Sequence, residues 1–348
     1  MRAYRLLDWL TDPVLTELDT PEPGPGQVLV RIGGAGVCHS DLHVIREFPP
    51  GQMPWSVPFT LGHENAGWVE ALGSGVRGLE PGQPVAVYGP WGCGECDYCL
   101  RGVETYCERP DRAPVPRGGG GLGLDGGMAD FLLVPHARQV VPLPDGLDPV
   151  TAAPLTDAGL TPYHAVRRSW PKLTPSATAV VIGIGGLGHL AVQIVKATTA
   201  ARVIAVDTRH EALELARTLG ADTVVTPGDN AAELVRDATR GRGADVVIDC
   251  VGTDATLAFA AATSRVLGDL TIVGLGGGTL PVSFFGLPFE MSVQTTYWGS
   301  RPELVEVLDL AARGRLHTEV TRFDLADVAE AYRRLEEGTL TGRAVVTP

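Results

Sequence analysis

Four cysteines, Cys93, Cys96, Cys99 and Cys107, fall at C-x2-C-x2-C-x7-C spacing. Thiolates this close together can close a tetrahedral cage around one zinc ion and leave no open position for a substrate, which defines a structural site. A small nucleic-acid-binding zinc module is the competing use of such a cluster. Glu95, Asp97, Glu104, Glu108 and Asp111 outnumber Arg101 and Arg109 in this lobe and argue against it. A second constellation is dispersed along the chain. Cys38-His39-Ser40-Asp41-Leu42-His43 and Gly62-His63-Glu64 each follow an apolar run. A thiolate and an imidazole on two loops suit a catalytic zinc, which takes three protein ligands and keeps one position open. For the third ligand, Cys250 sits in the apolar run Val246–Val251 and reads as core, whereas Pro154–Gly159 offers a carboxylate. Asp157 is therefore assigned as the third ligand, the alternative being a helix-capping role.

A third chemistry lies in Val180–Asp207. An apolar run enters Gly183, Gly185 and Gly188 at G-x-G-x-x-G spacing, with Gly186 and Leu187 between them. Leu187, Leu190, Ala191, Ile194 and Val195 follow at helical intervals, and Arg202–Asp207 is a second β-branched run ending in an acid. Strand, turn, helix, strand and acid in register form a dinucleotide-binding unit: the glycines let backbone approach a pyrophosphate, and the helix N-terminus faces it. Asp207 is expected to bind the adenosine ribose hydroxyls and to repel a 2′-phosphate, favouring NAD over NADP. Arg209, two residues on, softens that discrimination.

The elements that must position these residues change character along the chain. Residues 1 to about 150 carry short apolar or alternating runs (Val28–Ile32, Gly67–Leu72, Pro84–Tyr88, Met128–Val134) between turn residues, the pattern of a barrel-like β domain. From Thr178 strands alternate with helices. The strands are Ala179–Ile182, Arg202–Asp207, Thr223–Thr226, Asp245–Cys250 and Leu270–Gly274; the helices include His210–Leu219, Ala231–Thr239 and Asp254–Val266. This predicts a doubly wound parallel sheet. Strand Ser292–Tyr297, helix Pro302–Arg313, a strand near Thr318–Phe323, helix Leu325–Glu336 capped by Asp324, and strand Arg343–Thr347 complete the chain. The glycine-rich stretch Arg117–Gly127 has no flanking strand and helix, and reads as a mobile loop. The expected division is residues 1–153 with the zinc lobe at 93–107, then 154–290 for the nucleotide domain, then 291–348 returning to the first domain.

With 348 residues, 44% hydrophobic and 20% charged, the composition is that of a soluble two-domain enzyme. A net charge of −13 disfavours nucleic acid or an anionic membrane as partner. No run has the length of a membrane span, the N-terminus is not a signal peptide, and a cytoplasmic location is expected.

Together these pieces, with Gly36–Asp41 and the C-terminal Gly342-Arg343, resemble the medium-chain zinc-dependent alcohol dehydrogenases over essentially the whole chain. The match is nearest to bacterial NAD-dependent secondary-alcohol dehydrogenases, carried by Tyr88–Cys93, Asp157–Thr161 and Tyr297–Gly299. The resemblance implies an α/β fold of a GroES-like catalytic domain plus a Rossmann cofactor domain. It also implies two zinc ions per chain, NAD, a small alcohol or ketone as substrate, and a homotetramer or dimer. Zinc would act as Lewis acid while hydride passes to the nicotinamide. Among site residues it implies that Asp41 orients His63 and that Glu64 stands beside the zinc. Ser40 and His43 would relay the proton, with a plain cleft-lining role the alternative for His43. His39 and Arg343 would contact the cofactor pyrophosphate and Thr161 the nicotinamide, with Val273 and Leu275 completing the cofactor set. Trp55, Leu122, Phe285, Tyr297 and Trp298 would line an apolar pocket suited to secondary alcohols. Rival readings are a polyol, threonine or formaldehyde dehydrogenase on this fold, or a non-catalytic NAD-binding structural protein.

Overall fold

The structure, a computed structural model, describes residues 1–348. The chain forms two compact units. One comprises Met1–Leu160, Trp298–Ala312 and Thr318–Pro348; the other comprises Thr161–Tyr297 and Arg313–His317.

The first unit is built on strand Val28–Gly36, buried along its length except at Arg31. It pairs antiparallel with Glu64–Leu72, Phe131–Val134 and Arg343–Thr347. Pro84–Val87, Val140–Pro142 and Val320–Asp324 extend this seven-stranded sheet, and Val14–Glu17, Arg2–Leu6 and Phe59–Thr60 form a smaller one. Bulges in the central strand accompany close backbone approach: a Cβ on Gly67 would lie 2.0 Å from the Arg31 carbonyl oxygen. At the strand's end a Cβ on Gly36 would lie 1.8 Å from Glu64 Oε2, so only glycine leaves room for that carboxylate. The chain then turns at Cys38 into helix His39–Arg46.

The second unit holds six parallel strands in the order Thr223–Val225, Arg202–Val206, Thr178–Ile182, Ala244–Asp249, Ser264–Ile272, Ser292–Thr295. Thr178–Ile182 and Ala244–Asp249 are buried throughout, as a parallel sheet covered on both faces requires. Helices Gly188–Thr198, His210–Thr218, Ala231–Ala238 and Asp254–Thr263 make the crossovers. Val180, Ile204, Val247, Leu257 and Leu270 sit in the core between the layers.

Three expectations are corrected. The helix from Asp254 ends at Thr263 rather than Val266, because strand Ser264–Ile272 begins there; the Thr263 and Ser264 hydroxyls donate back to the Ala260 carbonyl. Residues 325–336 split into a 3-10 turn, Leu325–Asp327, and helix Val328–Glu336, and the Asp324 side chain makes no capping bond. Residues 117–127 are a packed segment, not a loose loop. Gly126, Gly127 and Met128 donate backbone N–H bonds to the carbonyls of Thr60, Gly62 and Leu61. A Cβ on Gly121 would lie 2.4 Å from the Gly62 carbonyl carbon, so the glycines here serve backbone-to-backbone packing beneath His63 rather than flexibility.

Candidate active site

Cys38, at the exit of the central strand, His63, on the turn before Glu64–Leu72, and Asp157, after the 3-10 turn Ala153–Thr156, converge in the first unit. Their ligand atoms, with one from Glu64, lie within 4.8 Å of one another. His63 Nε2 stands 3.4 Å from Asp157 Oδ2. That separation matches the edge of a tetrahedron with zinc–nitrogen and zinc–oxygen bonds near 2.0–2.1 Å, about 3.4 Å, so these residues fit a zinc ion. Glu64 is engaged elsewhere. Its Oε2 accepts from Arg343 Nε at 2.9 Å, and its Oε1 accepts from Arg343 Nη2 and, at 3.1 Å, from the Ala158 N–H. Burial pushes Glu64 up to about 7 although the Arg343 charge pulls it down.

The imidazole of His63 is fixed from behind. Its Nδ1 is 2.9 Å from Asp41 Oδ1, and Asp41 Oδ2 accepts from the Cys38 N–H at 3.1 Å and from the Tyr332 hydroxyl at 3.0 Å. Asp41 as acceptor makes Nδ1 the protonated nitrogen and leaves Nε2 as the metal-facing one. Burial works against a charged His63, but the Asp41 charge and hydrogen bonds to Asp157 and Asp41 outweigh it and raise its pKa well above the usual imidazole value.

Around this cluster, Ser40 Oγ lies 3.5 Å from Cys38 Sγ. His43 Nδ1 pairs with Glu47, just past the helix's end, at 2.9 Å, and His39 is exposed at that helix's first turn. Trp298 meets the His63 ring edge-on, with centroids 5.6 Å apart, and its Nε1 donates to the Thr156 carbonyl at 2.9 Å. Its φ of 59° is unusual for a bulky residue. It is held by that bond and by Gly89, where a Cβ would lie 2.0 Å from the indole. Trp55 and Leu122 are buried beside Gly118–Gly123. Phe285 and Tyr297 belong to the second unit and are exposed, Phe285 packing on Phe284 and Phe289.

Four of the five remaining cysteines gather in the lobe, Cys250 lying apart. Cys93 Sγ and Cys99 Sγ are 3.8 Å apart, the tetrahedral edge for zinc–sulfur bonds of about 2.3 Å, so this group fits zinc with all four positions filled. Cys93 Sγ accepts from the Glu95 and Cys96 N–H groups. Burial pushes the Cys99 and Cys107 thiols up; Cys96 falls to about 6 against its own burial, because N–H groups of Cys99 and Glu108 stabilise its thiolate. Buried Glu104 ties the lobe to the sheet, accepting from Gly92 N at 2.8 Å, Arg138 Nε at 2.9 Å and Gln139 Nε2 at 3.2 Å.

In the second unit Gly183 takes φ 83°, and a Cβ on Gly188 would lie 1.8 Å from the Gly183 carbonyl oxygen, which is why glycine stands where the helix meets the strand. Gly185 and Gly186 are part-exposed on the turn, with Leu187 at the head of the helix. Asp207 accepts from the Ile184 N–H at 2.6 Å and the Arg209 N–H at 2.8 Å, and the Arg209 guanidinium reaches back toward the Ile184 carbonyl. Thr161 and Val273 are buried, and Leu275 is exposed.

Tyr332 and Glu104 carry no motif and escape a reading by spacing; a lone tyrosine on an amphipathic helix and one acid among five give no local signal.

These features define a two-unit dehydrogenase with a zinc-ligand set. Residues 24–145 match the alcohol dehydrogenase GroES-like domain, and 186–313 match the zinc-binding dehydrogenase family. The chain is 38% identical to an NAD-dependent alcohol dehydrogenase of Sulfurisphaera tokodaii, over the whole of both chains. It is 34% identical to a D-arabinose 1-dehydrogenase (NADP(+)) of Saccharolobus solfataricus, over 99% of this chain and 97% of that one. The crystal structure of the alcohol dehydrogenase from Aeropyrum pernix superposes over the whole of both chains with a TM-score of 0.91 at 38% identity. The chain belongs to the medium-chain zinc-dependent alcohol dehydrogenase family.

Proposed function

We propose that the protein is an NAD-dependent alcohol dehydrogenase that interconverts alcohols, preferably secondary, with their ketones or aldehydes. The observation that carries this is the convergence of Cys38, His63 and Asp157 with a zinc-compatible edge and a hydrogen-bonded imidazole. A zinc ion held there supplies Lewis acidity to the alcohol oxygen, and bound NAD supplies the hydride acceptor. The chain's own groups do the rest. Asp41 keeps His63 in the ligating tautomer. Arg343 holds Glu64 beside the ligands. Ser40, next to Cys38, takes the alcohol proton, and His43, paired with Glu47, is the outer group of that relay. Asp207 receives the ribose hydroxyls, and the turn Gly183–Gly188 receives the pyrophosphate.

Trp298 against His63, with Trp55 and Leu122, favours an apolar substrate over a polyol. NADH formation with isopropanol against n-propanol tests this: isopropanol should be the faster, and equal rates or a preference for polyols would reject it. Asp207→Ser should shift the NAD/NADP preference about tenfold toward NADP, about 1.4 kcal/mol; an unchanged ratio would remove Asp207 from the ribose site.

Self-association is part of the same reading. Edge strand Ser292–Thr295 is largely exposed, as are Val282 and the clustered rings of Phe284, Phe285 and Phe289. Such an edge invites a second copy. A dimer or tetramer by light scattering is expected, and a monomer at micromolar concentration would contradict it. Four thiols gathered for zinc also suit a reducing, cytoplasmic compartment.

A further inference from the structure

We propose that Tyr332, on the C-terminal helix Val328–Glu336, is a positioning residue for the metal centre, acting through Asp41 on His63. The proposal rests on the reading of Cys38, His63 and Asp157 as zinc ligands. Three segments far apart in sequence meet at one buried carboxylate. Asp41 is 0% exposed, His63 1% and Tyr332 5%, so no solvent can replace a missing donor.

The two oxygens of Asp41 divide the work. Oδ1 faces His63 Nδ1, and Oδ2 takes the Cys38 N–H and the Tyr332 O–H. Tyr332 therefore sets the rotation of the carboxylate plane from the side opposite the imidazole, and through it the direction of Nε2. The phenol ring is itself held, stacked on Tyr4 at 6.1 Å and 19°. Burial and the Asp41 charge both push its pKa upward, so the oxygen keeps its proton and remains a donor. Partners that orient ligating histidines govern metal affinity, and a helix with no ligand of its own thereby reaches the zinc.

Tyr332→Phe deletes the hydroxyl and keeps the ring. Zinc transfer from the holoenzyme to the chromophoric chelator 4-(2-pyridylazo)resorcinol should show two phases, and the one missing in Asp157→Ala belongs to the catalytic ligand set. Tyr332→Phe should accelerate that phase about tenfold, leave the four-cysteine phase within about twofold, and alter the visible spectrum of the cobalt-substituted site. Tyr4→Phe, which removes a hydroxyl that does not touch Asp41, should change neither phase. An unchanged catalytic phase in Tyr332→Phe overturns the proposal. So does joint acceleration of both phases with a falling Tm, or equal acceleration in Tyr4→Phe. A wild-type protein that releases zinc in only one phase, with the four-cysteine site intact, would instead overturn the ligand set itself.

Discussion

The two zinc-compatible clusters occupy the same structural unit and are built on opposite plans. The four-cysteine lobe takes all its donors from Cys93–Cys107, closes every position with sulfur, and is tied to Arg138 and Gln139 through a buried acid, Glu104. The Cys38–His63–Asp157 cluster draws its donors from three distant segments, mixes sulfur, nitrogen and oxygen, and is backed by charged partners, Asp41 on His63 and the Glu64–Arg343 pair. A closed all-sulfur cage contributes folding energy and no chemistry; a mixed three-donor set leaves a position for substrate. Stability should therefore follow the lobe and turnover the mixed cluster.

A pair of substitutions should separate the two clusters most strongly. Asp157→Ala should lower turnover by about 10³-fold or more, because the Lewis acid supplies several kcal/mol to the reaction, while Tm and the lobe zinc persist. Cys96→Ser should do the reverse: Tm falls on the order of 10 °C while kcat of the folded fraction holds within about twofold. Equal losses of activity and stability in both variants would erase the distinction. Next in size is Arg343→Ala, which strands the Glu64 carboxylate in the buried active-site framework and should cost about 3–5 kcal/mol in urea unfolding. Arg343→Ala combined with Glu64→Gln should recover much of that cost; no recovery would mean that the pair does not act as a unit. The smallest effect is expected at the lobe's anchor. Glu104→Gln keeps the shape but loses the charge facing Arg138, and should cost about 1.5 kcal/mol, with zinc released faster from the four-cysteine site only. Faster release from the other site would contradict the separation.

The same contrast explains what was legible in the sequence. The lobe and the glycine motif are local: spacing alone defines them, since the donors or backbone groups are neighbours along the chain. The parallel sheet was legible for a related reason, because strands buried on both faces read as continuous apolar runs such as Val180–Ile182. The dispersed cluster needed a framework: the strand after which Cys38 falls, the turn carrying His63, and the segment bringing Asp157 alongside. Its supporting partners were less visible. Arg343 clamps Glu64 across 279 residues, and Tyr332 reaches Asp41 across 291. Such contacts are set by sheet register and helix packing, which no local pattern encodes. The segment 117–127 is illegible for the converse reason. Its glycines look like those of a flexible loop, yet Gly121 and Gly126 are required by close backbone contact with Gly62 and others by contact with Gly89, Trp91, Trp55 and Asn65.

Zinc anomalous scattering from crystals of the protein as purified would locate both metals. Two anomalous peaks per chain are expected, one inside the four-cysteine lobe and one bounded by Cys38 Sγ, His63 Nε2 and the Asp157 carboxylate. A single peak in the lobe, from crystals grown of protein that still forms NADH with isopropanol, would contradict the assignment of the second cluster as the catalytic metal site.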